Sequence, residues 1–249
     1  MTKLSKPNAS GNGLTESVNK PINRKSFFKF AGAGAALTTL LISGCNDDDD
    51  GKFNGVVDTP PTTGTGAVSL GSGDVGILNY AYALEQLEAA FYTQVVATKF
   101  SGMTALETSI FTDIRDHEIA HREFFKAAIT AAAPTAIIPA LTPDFSSINF
   151  GDRNAVLTAA KTFEDLGVTA YNGAGKLLTN PDFLTIAGKI VSVEARHAAE
   201  IADLISNGTF ANTANNANGF DDAKMPSEVL AAAKSFIKET IDFSKLPTS

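Results

Sequence analysis

The segments Glu118-Ile-Ala-His121 and Glu194-Ala-Arg-His197 both place a histidine three residues after a glutamate. Residues three apart on a helix lie on one face, so each pair can offer a carboxylate and an imidazole to one metal ion. A single pair of this kind is weak evidence, because exposed helix faces also carry such residues. The two pairs together contain two of the chain's 3 histidines. They are therefore candidate metal ligands.

The same order of residues occurs once in each half of the chain. Glu85 precedes the first pair and Glu164 precedes the second, and each lies within an otherwise apolar run. A tyrosine follows each of these carboxylates two helical turns later, at Tyr92 and Tyr171. This repetition is what two related helical hairpins would produce.

Apolar residues at helical spacing predict four helices. Their expected spans run from Asp74 to about Phe100, from Thr104 to about Ala131, from Asp152 to before Asn180-Pro181, and from about Asp182 to Ser206. Asp74 and Asp152 are expected N-caps, and Thr104 with Glu107 forms a predicted capping box. No strand is predicted between these helices.

Connection lengths predict the topology. Short links join the first helix to the second and the third to the fourth, which favours two antiparallel hairpins. The proline-containing stretch between the hairpins has roughly twenty residues and can extend ~65 Å, more than the ~40 Å of such a helix. The predicted fold is an all-α four-helix bundle, residues 74–206, with one long crossover between helices 2 and 3.

All four candidate carboxylates fall near the middle of their predicted helices, so they should meet at one level of the bundle. Burying four carboxylates together without cations is very costly. Two divalent metal ions would neutralise the charge, with Glu118 and Glu194 bridging them. Carboxylate and imidazole ligands suit both Fe and Mn and do not separate the two metals.

Three segments resemble the ferritin-like superfamily of di-metal carboxylate proteins, and more specifically its secreted, desiccation-related branch. They are Leu84-Glu-Gln-Leu-Glu-Ala-Ala-Phe-Tyr92, Phe163-Glu-Asp-Leu-Gly-Val-Thr-Ala-Tyr171 and Val193-Glu-Ala-Arg-His197. The resemblance implies six metal ligands, all filled in this chain: Glu85, Glu118, His121, Glu164, Glu194 and His197.

Neighbouring polar residues carry alternative interpretations. Glu88 is expected to be partly solvated or to support the ligands, with replacement of Glu85 as the alternative. His117, one position before Glu118, is expected at the surface. Glu200 is either an exposed acid or the partner of the other ring nitrogen of His197. Tyr92 and Tyr171 are either core aromatics with buried hydroxyls or residues with a redox or ligand-supporting role.

The N-terminal 44 residues predict export. A basic segment that contains the twin-arginine-like Asn23-Arg24-Lys25-Ser26-Phe27-Phe28-Lys29 precedes a short apolar run. The run ends in Leu41-Ile-Ser-Gly-Cys45, which resembles a bacterial lipobox. Residues 1–44 are thus a predicted signal peptide, and Cys45 is a predicted lipidation site that would anchor the protein to a membrane of the cell envelope. Residues 45–73, acidic and then rich in Gly, Thr and Pro, are a predicted tether.

Composition excludes several classes of protein. The 249 residues are 44% hydrophobic, too apolar for a disordered chain. A net charge of −7 argues against nucleic acid as a partner.

Residues 207–249 are expected to pack on the bundle exterior through one helix, Ser227–Thr240, and to be dispensable for metal binding.

Two functions fit these features. The first is an oxidoreductase in stress protection, of the ferroxidase, peroxidase or catalase type, with oxygen or peroxide as the small-molecule oxidant. The second is a non-enzymatic desiccation or stress-related envelope lipoprotein whose metal site is structural or vestigial.

Overall fold

The computed structural model describes residues 66–211 and 218–248, so the predicted signal peptide, Cys45 and most of the predicted tether lie outside the described residues. Four long helices form a bundle: α1 (Gly73–Thr98), α2 (Ala105–Ala132), α3 (Arg153–Gly175) and α4 (Pro181–Ile205). A short helix, α5 (Pro226–Ala233), and a 3₁₀ turn (Lys234–Phe236) follow. The prediction of an all-α four-helix bundle with a C-terminal helix is confirmed.

Local capping sets where the helices begin. The Glu107 amide donates to Thr104 Oγ1 at 3.1 Å, and the Thr104 amide donates to Glu107 Oε2 at 2.8 Å, which completes the capping box of α2. Asp152 caps α3 by accepting from the Ala155 amide at 2.7 Å. Arg153 then joins three helix ends, because it donates to the Glu107 carboxylate and to the Leu204 carbonyl.

The crossover, residues 133–152, runs along α1. The Asn79 side chain donates to the Ala136 carbonyl at 2.8 Å and accepts from the Ile138 amide at 3.1 Å. Further along α1, Gln86 accepts from the Leu141 amide at 2.8 Å. This cover explains why every residue from 76 to 89 is buried, although a bundle helix usually keeps one face in water.

Asp74 does not cap α1, because the N-cap position belongs to Ser72. Its carboxylate instead accepts hydrogen bonds from the Thr179 amide, the Thr179 hydroxyl and the Asn180 amide, at 2.8, 3.0 and 2.8 Å. The prediction was wrong because these bonds reach the α3–α4 loop, far away in sequence. Burial alone would raise the pKa of Asp74, but the bonds from Thr179 and Asn180 outweigh burial and lower it.

Asp74→Ala should therefore lower the free energy of unfolding by about 1 kcal/mol at neutral pH. A lowered pKa in the folded state means that this contribution is present above the unfolded-state pKa and is lost as the pH falls through the folded-state pKa. Urea unfolding of both chains at pH 7 and near pH 3 measures the difference, which should shrink in acid. Asp182→Ala, another acid in a first helical turn, controls for the helix dipole, and a pH-independent difference would contradict the assignment.

The two ends of the described chain pair with each other. Strands β1 (Ala67–Ser69) and β2 (Thr240–Asp242) lie parallel, with Ala67 opposite Thr240. Leu70, directly after β1, is fully buried. The predicted tether therefore extends too far, since its last residues are folded. The predicted tether is polar and has no apolar periodicity, so its sequence does not predict a strand that pairs near the C-terminus.

The C-terminal extension differs from its prediction. The helix ends at Ala233 rather than Thr240, because the chain turns to form β2. Val229 and Ala233 are fully buried, and the Phe236 ring packs against the Phe163 ring with centroids 4.8 Å apart. The extension is thus part of the core rather than an exterior addition. Within residues 66–211 and 218–248, no helix has the length and hydropathy to span a bilayer.

Candidate metal centre

Each long helix contributes one buried carboxylate to the middle of the bundle. Glu85, Glu118, Glu164 and Glu194, from α1 to α4 in order, are all fully buried. His121 and His197 lie one turn after the α2 and α4 carboxylates, as the Glu-x-x-His spacing requires. The His197 side chain is 5% exposed and that of His121 13%, so the His121 side is nearer to solvent.

The six side chains form two overlapping groups. One group contains Glu85, Glu118, His121 and Glu194, and the other contains Glu118, Glu164, Glu194 and His197. Within each group the potential ligand atoms lie within 4.8 Å of one another. Glu118 and Glu194 belong to both groups, which is the arrangement of bridging carboxylates.

The contacts within the two groups are reciprocal. His121 Nδ1 lies 2.9 Å from Glu194 Oε1, 3.5 Å from Glu85 Oε2 and 3.6 Å from Glu118 Oε2. His197 Nδ1 lies 2.8 Å from Glu118 Oε1, 3.5 Å from Glu164 Oε2 and 3.6 Å from Glu194 Oε2. Each shared carboxylate thus turns one oxygen to each histidine, and the centre has approximate two-fold symmetry.

The atoms that face the middle of the centre are buried without a hydrogen-bond partner. They are one oxygen each of Glu85 and Glu164, both oxygens of Glu118 and Glu194, and Nδ1 of both histidines. Unsatisfied buried polar atoms are costly and rare in proteins. Eight such atoms converging on one volume fit a site for cations, because two metal ions could take them as ligands.

Two tyrosines donate hydrogen bonds to the two carboxylates that are not shared, and each tyrosine lies on the opposite hairpin from its partner. Tyr92 on α1 donates to Glu164 Oε1 on α3 at 2.5 Å, and Tyr171 on α3 donates to Glu85 Oε1 on α1. Each bond occupies one carboxylate oxygen and leaves Oε2 facing the centre. Burial and the neighbouring carboxylates raise the pKa of both phenols, so both hydroxyls stay protonated and donate.

Protons carry the compensating charge of the metal-free centre. Burial alone would lower the pKa of the two histidines, but the surrounding carboxylates together outweigh it. Glu85, Glu118 and Glu194 raise the pKa of His121, and Glu164, Glu118 and Glu194 raise that of His197 to about 12. Burial and Glu194 raise the pKa of Glu118 to about 8. Burial would raise that of Glu194 too, but contacts with His121 and His197 lower it to about 2. Metal ions must displace these protons, so acid opposes metal binding.

His117 is exposed, as predicted, but it also contacts the centre from the outside. Its ring stacks on that of His197 with centroids 5.1 Å apart, and its Nδ1 lies 2.9 Å from His197 Nε2. Burial and the charge of His197 lower the pKa of His117, so the neutral ring can accept from Nε2–H while His197 Nδ1 faces the centre. The four-residue spacing between His117 and His121, which places both on one helix face, could have revealed this.

Neither of the other two acids belongs to a ligand group. Glu88 is 3% exposed, and its carboxyl packs against Gly167. A Cβ added at Gly167 would lie 3.1 Å from Glu88 Oε1. Burial and the ligand carboxylates raise its pKa, which makes it a neutral acid beside the centre. Glu200 is exposed, which is the first of its two predicted alternatives, and the residue that contacts His197 Nε2 is His117.

The family model of the ferritin-like domain matches residues 73–207, more than half of the chain. The chain belongs to the ferritin-like domain family. The matched residues cover α1 to α4 and all six candidate ligands. A ferritin-like bundle with clustered Glu and His side chains can bind metal ions, which agrees with the predicted superfamily. No curated protein matches the chain.

Proposed function

We propose that this ferritin-like protein binds two Fe or Mn ions and uses them for oxidoreductase chemistry on oxygen or peroxide. The observation that supports a dinuclear centre is the sharing of Glu118 and Glu194 between two ligand groups. One ion would be held by Glu85, Glu118, His121 and Glu194, and the other by Glu118, Glu164, Glu194 and His197. Such mixed carboxylate and imidazole sets suit Fe and Mn.

A pair of redox-active metals exchanges two electrons, the number that converts one peroxide and two protons to two water molecules. The chain's own residues prepare the site for this chemistry. Tyr92 and Tyr171 hold Glu164 and Glu85 in place through their second oxygens. The buried position of the carboxylates keeps bulk water away from the reacting oxidant.

Metal content and oxidant consumption, measured together on the full chain, test the proposal. After reconstitution with Fe(II) or Mn(II), elemental analysis should give about two ions per chain, and one of the two metals should support consumption of oxygen or peroxide. Glu123→Gln, an exposed change on the same helix as Glu118, should leave both quantities unchanged.

Each result has a distinct meaning. Two ions without oxidant consumption would favour the second function, a stress-related envelope protein in which the metals only brace the bundle. Failure to bind either metal at any pH from 6 to 8 would overturn the proposed centre itself.

His117→Ala should weaken the ion bound by His197, because the imidazole loses the partner that fixes its orientation. Outer partners of this kind typically change metal affinity tenfold to a hundredfold. Competition with a chelator measures the affinity of each ion, and only one of the two should change. His117→Gln, which keeps an acceptor at this position, should recover part of the loss. Equal weakening of both ions would argue against the assignment.

Export and a lipid anchor at Cys45 are part of the same proposal. They are supported by the basic N-terminal segment, the short apolar run and the sequence Leu41-Ile-Ser-Gly-Cys45. In a bacterial host, the protein should fractionate with membranes and gain the mass of a lipid. Cys45→Ala should lose both properties, and its unchanged recovery in the membrane fraction would refute the anchor.

A further inference from the structure

The two histidines of the centre differ in what lies behind them. His197 Nδ1 faces the centre, and its Nε2 lies 2.9 Å from Nδ1 of His117, whose ring stacks on the His197 ring. His121 Nδ1 also faces the centre, but none of the residues that the structure describes hydrogen-bonds to His121 Nε2. The His121 side chain is 13% exposed and that of His197 5%. One histidine is therefore held from the outside of the centre and the other is not.

The sequence accounts for this difference. The two Glu-x-x-His pairs are related by the approximate two-fold symmetry of the centre, so each residue beside one pair has a counterpart beside the other. His117 directly precedes the first glutamate, and the residue that directly precedes the second is Val193. The symmetry places Val193 towards His121 as His117 lies towards His197. Because a valine side chain cannot accept a hydrogen bond, the hairpins repeat the ligands but not this outer contact.

The described residues also cover the centre unevenly. Every residue from 76 to 89 on α1 is buried beneath the crossover. Residues 166–171 on α3 are buried as well, beside the C-terminal extension. By contrast, residues 119–124 on α2 and 191–193 on α4 are all partly or fully exposed. The side of the centre that carries the histidines is thus the side that faces water.

We propose that the two metal positions are not equivalent: the ion held by His121 is exchangeable, whereas the ion held by His197 is retained. The inference rests on the proposed two-metal centre but not on its redox chemistry. The bond to His117 fixes the orientation of the His197 ring and makes it a stronger ligand. The His121 ring has no such partner, so it can turn away and let water take its place. The chain would then carry one permanent ion and one that follows the supply of metal.

Release of Mn(II) from the loaded full chain into excess EDTA tests the proposal. Elemental analysis of the protein, separated at successive times, should show two phases of about one ion each. Their rates should differ roughly tenfold to a hundredfold, the usual effect of an outer partner. His121→Ala should lack the fast phase and keep the slow one, and His197→Ala should do the reverse.

Exchanging the two outer residues should exchange the two phases. His117→Val should accelerate the slow phase to the rate of the fast one, and Val193→His should slow the fast phase by supplying the missing acceptor. The chain with both changes should again release its ions in two phases, and adding His121→Ala should now remove the slow one. Ser192→His adds an exposed imidazole one position earlier on α4, and it should change neither rate.

The possible failures are distinguishable. Binding of fewer than two Mn(II) ions by the wild-type chain would overturn the proposed centre and this inference with it. Two bound ions that leave at equal rates in His121→Ala and His197→Ala would overturn the inference and leave the two-metal centre intact. So would equal slowing of release by Val193→His and Ser192→His. The comparison of the two alanine variants stays decisive even where Val193→His perturbs folding, and no oxidant enters the assay.

Discussion

Glu118→Gln should release both metal ions, whereas His121→Ala should release one. Glu118 turns Oε1 towards His197 and Oε2 towards His121, so its charge acts on both ligand groups. His121 belongs to one group only. Loss of the shared charge should weaken the binding of each ion on the order of a hundredfold. This is the upper end of the effect of removing a residue that only hydrogen-bonds to a ligand. Elemental analysis and chelator competition measure the two stoichiometries.

The same substitution should leave the stability of the metal-free chain unchanged. Burial and Glu194 raise the pKa of Glu118, so metal-free Glu118 resembles the neutral glutamine that replaces it. Thermal unfolding should therefore show no loss of stability without metal, but a clear loss with metal, since ions bound only by the folded state stabilise it. Release of both ions by His121→Ala, or an unchanged stoichiometry in Glu118→Gln, would contradict the bridging role.

Gly173→Ala should detach the C-terminal extension from α3. A Cβ at this position would lie 1.8 Å from the Lys224 carbonyl oxygen, so the backbone of the extension must move. The move would disturb the bond from the Lys224 amide to the Thr169 carbonyl at 3.0 Å. The free energy of unfolding should fall by about 1–3 kcal/mol, as in other overpacked sites, and the Lys224 amide should exchange faster with solvent.

Gly188→Ala is the matched control for this change. Gly188 also lies within a long helix, but a Cβ there would meet nothing within 4 Å. The substitution should stabilise the chain by about 0.5–1 kcal/mol, since glycine is a poor helix former. Metal affinity should stay unchanged in both variants, because neither residue touches a ligand group. Loss of metal in a folded Gly173→Ala chain would show that the extension supports the centre.

The sequence predicted the bundle well because its main signals are local. Thr104 and Asp152 each cap the helix that follows them within three residues. The Glu-x-x-His spacing and its repetition likewise follow from the geometry of a single helix. The six side chains then meet because residues in the middle of the helices of one bundle lie at the same height along its axis.

The features that the sequence did not predict are contacts between distant segments. Asp74 has the residue type of an N-cap, but its carboxylate bonds to Thr179 and Asn180. His117 lies one position before Glu118, but its partner His197 lies on another helix. The pairing of β1 with β2 joins residues more than 170 positions apart in the sequence. No local periodicity encodes such contacts.

The reciprocal ligand groups make the centre a cross-link. Each group takes three side chains from one hairpin and its fourth from the other: Glu194 for the first hairpin and Glu118 for the second. Bound ions would thus join the hairpins independently of the peptide chain between them. A protease cut within the crossover should leave a loaded protein in one piece, and removal of metal should then lower the temperature at which the fragments separate. A chain with metal bound would thus tolerate a break in its backbone better than a chain without metal.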